Sequence, residues 1–137
     1  QLTLNHLLTV DWYDLDALEG GGRGLAVFEP EMPFADVDDL ATAQAASDRR
    51  LIAFCDRLAD ADVGRAVRID RGAAGITLER TGAVLAHLFV HQIHHRGQAH
   101  AMLSGTDVPP PQLDEFFLAY DAPRRASDLE ALAAPYP

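Results

Sequence analysis

The chain has 137 residues, 48% of them hydrophobic and 23% charged, with a formal net charge of -10 at pH 7. That length suits one domain, residues 1–137, with a sizeable core, and the acidity argues against binding nucleic acid through its phosphates. All eleven basic residues are Arg, which excludes Schiff-base and Lys-nucleophile chemistry, and no apolar run approaches the ~18 residues of a membrane span.

The chain opens at Gln1 already inside a helical pattern, which points to a further N-terminal piece upstream. "LTLNHLLTVDWYDLDALE" places Leu2, His6, Val10, Tyr13 and Ala17 on one face at helical spacing. The glycine run Gly20 to Gly24 ends that helix, because glycine loses the most backbone entropy there. A loop through Pro30 and Pro33 follows. Asp36 or Asp38 can cap a second helix reaching about Leu58, with Leu40, Ala43, Ser47, Leu51, Phe54 and Leu58 as its stripe. "RAVRIDRGAAGITLER" reads as a hairpin: Val67 and Ile69 alternate with Arg, "RGAAG" turns, and Ile76 and Leu78 alternate back. A two-stranded ribbon is marginal alone, so it is expected to lie against the helices. A third helix runs from about Thr81 to Leu103, stopped by "SGT" and "PPP". "QLDEFFLAYD" reads as a short further helix, and the tail as one last turn or two. The lone cysteine, Cys55, rules out an intrachain disulfide and points to a reducing compartment, read here as the cytoplasm.

Five of the six histidines fall in "HLFVHQIHHRGQAHAML". With His91 at the origin of a ~100° helical wheel, Val84 and Met102 lie near 20°, His95 near 40° and Leu88 near 60°. His91 and His95 therefore share the apolar stripe, one turn apart, the spacing that lets two imidazoles bind one metal ion. His87 and His94 fall on its flank and His100 opposite, so these three read as flank or surface residues. His87 is the best substitute ligand among them. The only other histidine, His6, also sits on an apolar face. Three inward histidines from two helices, with no fourth, describe an open reactive site rather than a closed structural one. The competing reading makes His91 and His95 core histidines bonded to polar neighbours. Asp11 and Asp14 read as solvated or capping charges, with support of the ligands from behind as the lesser alternative, Cys55 as buried rather than nucleophilic, and Trp12 and Tyr13 as core. Arg96 and Gln98 are expected to hold the helix or a ligand histidine by hydrogen bonds.

"LNHLLTVDWYDLDALEGGGRG" followed by "HLFVHQIHHRGQAHAMLSGTDVPPPQLDEFF" resembles the DinB/YfiT-like superfamily of metalloenzymes, and most of all its bacterial DinB (damage-inducible) branch. The combination of N-H-L-L with H-Q-x-H-H-R-G-Q is the specific part. The resemblance implies an all-α, DinB-like four-helix bundle, here with a small β-hairpin and a short C-terminal helix. It implies a divalent metal, zinc or nickel, on His6, His91 and His95, and a homodimer. Related branches include thiol-dependent transferases and isomerases. The chain departs from the pattern in one place: nothing corresponds to the Trp-Ala-Asn-like helix that precedes N-H-L-L. The expected function is a metal-dependent enzyme of hydrolase or thiol-dependent transferase type acting on a small molecule. The alternative is a non-catalytic metal- or ligand-binding stress-response protein. A plain helical interaction domain is the third reading. No general base stands out among His87, His94, Asp11 and Asp14.

Overall fold

The computed structural model describes residues 1–108, 110, 115 and 118–133. They divide into two compact units, Gln1–Ala101 and Met102–Pro137. In the first, no glycine or proline interrupts helix α1 (Leu2–Leu18). Its end follows from local chemistry. Gly20 adopts φ +75, which lets its N–H reach Ala17 O at 3.1 Å while the Gly21 N–H reaches Asp16 O at 2.7 Å. Those two bonds satisfy carbonyls that the helix would otherwise leave open.

Helix α2 (Val37–Asp56) starts at Asp36, whose side chain accepts from the Asp38 and Asp39 backbone N–H groups. This meets the first of the two expected caps. Its stripe forms as expected, with Leu40, Ser47 and Phe54 buried and Ala43, Leu51 and Leu58 half-buried. Strands β1 (Ala66–Asp70) and β2 (Ile76–Arg80) then form an antiparallel hairpin. Helix α3 (Thr81–Leu103) follows without a break. The Thr81 N–H and hydroxyl both donate to Arg65 O, at 2.9 and 3.1 Å, which ties the start of α3 to the approach to β1.

One expectation about faces is corrected, and the hairpin register settles another face that alternation left open. The α1 stripe was read as one-sided, yet Asn5, Leu8, Asp11, Asp14, Leu15 and Leu18 are buried along with Val10 and Tyr13, while Leu2 is 52% exposed. The helix is covered on most of its circumference by the 3-10 turn Gly24–Phe28, α2, α3 and the hairpin, so hydrophobic periodicity could not show its environment. Tyr13 and Leu15 of α1 meet Phe54 of α2, Ile69 of β1 and Val84 and Leu85 of α3 in a single apolar cluster. In the hairpin the register pairs Val67 with Glu79 and Ile69 with Thr77. Inward-facing Val67 and Ile69 therefore share their face with Thr77 and Glu79. Ile76 and Leu78 alternate onto the outer face, 50% and 67% exposed. A one-residue phase difference moves a strand's whole apolar set across the sheet.

In the second unit a short 3-10 turn, Ala119–Asp121, leads into α4 (Ala122–Ala133), longer than the expected turn or two. Residues 112–114, 116 and 117 of the expected "QLDEFFLAYD" helix lie outside the described residues.

Two side chains of the chain's first turns hold the loop before α2: the Gln1 Nε2 donates to Phe34 O at 3.3 Å and to Ala35 O, and Asn5 makes a closer pair of bonds. Asn5, fully buried, donates through Nδ2 to Phe34 O at 3.0 Å and accepts through Oδ1 from Phe34 N at 3.0 Å. Asn5→Ala leaves the Phe34 N–H without this partner, while Phe34 O keeps the Gln1 amide. Urea denaturation is expected to show a loss of about 1–3 kcal/mol, the cost of unsatisfied buried polar groups. A loss below about 0.5 kcal/mol, less than a single net hydrogen bond contributes, would remove Asn5 as the clamp.

Candidate metal centre

His6 lies in the second turn of α1, and His91 and His95 lie one turn apart on α3. The packing of α3 on α1 brings the three rings together. One nitrogen from each lies within 4.8 Å of the others, and all three residues are half-buried. Ring centroids are 5.1 Å apart for His6 and His91, 4.8 Å for His6 and His95, and 4.3 Å for His91 and His95. This trio is the only such group among the described residues.

The donor set suits a divalent ion. The Nε2 atoms of His6 and His91 face each other at 3.2 Å. Two nitrogens bound at 2.0–2.1 Å to one tetrahedral ion stand roughly 3.3–3.4 Å apart, so these two lone pairs are spaced to share an ion. Burial pushes His91 down to about 4, with the neighbouring His95, His6, His87 and His94 adding to the shift. Burial also lowers His6, aided by His95 and opposed by the carboxylate of Glu31. Both rings are thus held in the neutral form that a metal requires. His95 Nδ1–H donates to Gln98 Oε1 at 2.7 Å, which fixes its tautomer and leaves Nε2 as the ligating atom. The same amide donates from Nε2 to His94 Nε2 at 3.1 Å. His91 Nδ1 is buried without a hydrogen-bond partner.

Asp11 and Asp14 are not the solvated or capping charges the sequence suggested. Each is only 3% exposed. Asp11 Oδ2 accepts from Gln44 Nε2 of α2 at 2.7 Å, and its Oδ1 accepts from Gln92 Nε2 of α3. Gln92 Oε1 in turn accepts from Arg96 Nε at 3.1 Å, as expected of Arg96 holding the helix. Burial pushes Asp11 up to about 6, against the two amide bonds and Arg96 and with the nearby Asp48. Asp14 Oδ2 accepts from His87 Nδ1–H at 3.1 Å. Burial raises Asp14 as well, while His87 opposes the shift. His87 and His94 are exposed, and neither belongs to the convergent trio. Cys55 is half-buried against the core, and burial raises its thiol. Gln44 and Glu31 carried no signal in the sequence. Both come to the site from other elements, one through α2 and the other through the Asn5-clamped loop.

A helical protein with three imidazoles converging from two helices defines a class built around an open three-histidine centre. The family model described as DinB family matches residues 1–126, and the chain belongs to the DinB family. Comparison with curated proteins and with solved structures gives no match.

Two measurements check this geometry. Gln98→Ala frees the His95 ring, and calorimetry is expected to show zinc affinity falling about 10–100-fold with the fold retained. An unchanged affinity would show that the amide does not orient the ring. The second concerns pH in metal-free protein. The lowered His91 means the unfolded chain binds a proton between about pH 6.5 and 4 that the folded chain does not, so stability falls as pH falls through that window. Asp11, raised from 3.8 to about 6, does the reverse: the folded chain keeps a proton that the unfolded chain releases, so this group adds stability as pH falls. The two offset one another. In Asp11→Asn the offset is removed, and stability between about pH 6.5 and 4.5 should fall more steeply than in the parent. A parallel or shallower slope would contradict the assignment.

Proposed function

We propose that this DinB-family protein holds one divalent ion, zinc or nickel, on His6, His91 and His95, and acts with it on a small-molecule substrate. The reaction type that the site supports best is hydrolysis or transfer of a thiol-bound group. One observation carries the reading: three imidazole nitrogens within 4.8 Å of one another, two of them on rings whose burial keeps them neutral.

A bound divalent ion would supply Lewis acidity and lower the pKa of a water or thiol. The chain's own residues do the rest. His6 and His91 stay neutral and ready to ligate. Gln98 turns His95 so that its Nε2 points at its neighbours. Three protein ligands leave positions for water or substrate. A reducing cytoplasmic setting fits the single half-buried cysteine, and no described helix is long and apolar enough to cross a membrane. A homodimer is the assembly that the family likeness suggests.

Metal analysis of purified protein tests this. The expected result is about one equivalent of a divalent transition metal, as one three-histidine site holds, and almost none in His91→Ala. EDTA should lower the Tm of the parent, since a ligand bound only to the folded state stabilises it, and leave His91→Ala unchanged. Less than about half an equivalent after reconstitution would overturn the proposal. A panel of ester, amide and thiol-adduct substrates then separates the two roles. Turnover lost with His91 marks an enzyme, and silence with metal retained marks a non-catalytic binding protein.

A further inference from the structure

Asp14 and His87 take no part in holding the ion, yet their geometry is that of a proton-handling pair. Asp14 is buried on α1, and His87 is exposed on α3, one turn before His91. The His87 Nδ1–H donates to Asp14 Oδ2 at 3.1 Å. A carboxylate on Nδ1 fixes the tautomer, so the lone pair sits on Nε2. The His87 ring lies 5.8 Å from that of His91, centroid to centroid, inclined at 36°. It stands beside the convergent trio without joining it. His87 also lines a recess of about 200 Å³ together with Asp14, Arg71, Glu79 and Val84. The His87 ring thus borders both His91 and a recess that can take a small molecule.

We infer that His87, positioned by Asp14, accepts the proton of the attacking group at this centre. The inference rests on the metal-dependent reading above. Nε2 takes the proton as the O–H bond of water or the S–H bond of a thiol breaks, and the electron pair stays on oxygen or sulfur. That atom bonds to the electrophilic carbon of the substrate. The imidazolium so formed faces the Asp14 carboxylate, and its proton passes to the leaving group as the bond to that group breaks. This explains why a carboxylate is buried at position 14 with a histidine as its partner. It also separates the roles of the histidines: three to ligate and one to move a proton.

The test treats the zinc(II)-loaded full chain with limiting diethyl pyrocarbonate, which acylates the lone-pair nitrogen of neutral, accessible imidazoles. Modified residues are read by mass spectrometry. His87 is expected to react several-fold faster than His94, and Asp14→Asn should bring it down to the His94 rate with zinc content unchanged. Equal His87 rates in parent and variant would overturn the inference, as would protection of His87 by zinc, which would make it a ligand. Because Asp14 is buried, the unsubstituted chain provides a second readout. The ring 15N spectrum of His87 should show the Nδ1–H tautomer, and a predominantly Nε2–H ring would overturn the pair. With a panel substrate that the loaded protein turns over, His87→Gln should lower kcat about a hundredfold, leaving KM and zinc content in place. An unchanged kcat would overturn the role. A chain that does not retain zinc sinks the metal reading, while the tautomer still judges the pair, so the two failures are distinguishable.

Discussion

The structure depends on polar groups buried along α1. A helix enclosed by α2, α3 and a hairpin must satisfy every such group it carries, since each one left without a partner costs of the order of 1–3 kcal/mol. Asn5 takes both backbone groups of Phe34. Asp11 takes one amide from α2 and one from α3. Asp14 takes His87. Apolar contacts tolerate sliding of one helix along another, but these bonds do not. A shift of α3 by one turn, ~5.4 Å, would separate Gln92 from Asp11 and His87 from Asp14 together. The same register sets His6 against His91 and His95, so the centre follows from how α1 is satisfied.

That arrangement carries a cost in charge. Asp11 is raised to about 6 because its partners are mostly neutral amides, so burial is only partly compensated. The neighbouring imidazoles shift the other way, toward neutrality. The acidic chain thus contains a local region in which carboxylates and imidazoles both resist ionisation. Such opposed shifts in adjoining groups are characteristic of sites that handle protons and metals.

Much of this was legible in the sequence. The ends of α1 and α3 follow from Gly20 and from "SGT", and the wheel separates His91 and His95 from His87, His94 and His100 by angle alone. Arg96 and Gln98 form the hydrogen bonds expected of them, to the helix and to a ligand histidine. What escaped shares one cause: it depends on how many neighbours a face has, which periodicity does not encode. Asp11 and Asp14 look solvated in a helix read as one-sided, and they are buried because neighbours cover it on several sides. Alternation marks Ile76 and Leu78 as one face of β2 without saying which, and they face out because the hairpin register gives the inner positions to Thr77 and Glu79. Gln44 and Glu31 reach the site only through tertiary packing. The DinB likeness added the ligand trio as a set, on residues that the wheel had already turned inward.

The central claim is that three imidazoles, held in register by the polar groups of α1, share one ion. Anomalous scattering at the zinc edge from crystals of the zinc-loaded protein tests it most directly. The account predicts one ordered peak with nitrogens of His6, His91 and His95 at about 2.0–2.1 Å. A zinc peak on other residues, or none between these three rings in protein shown to be loaded, would contradict it.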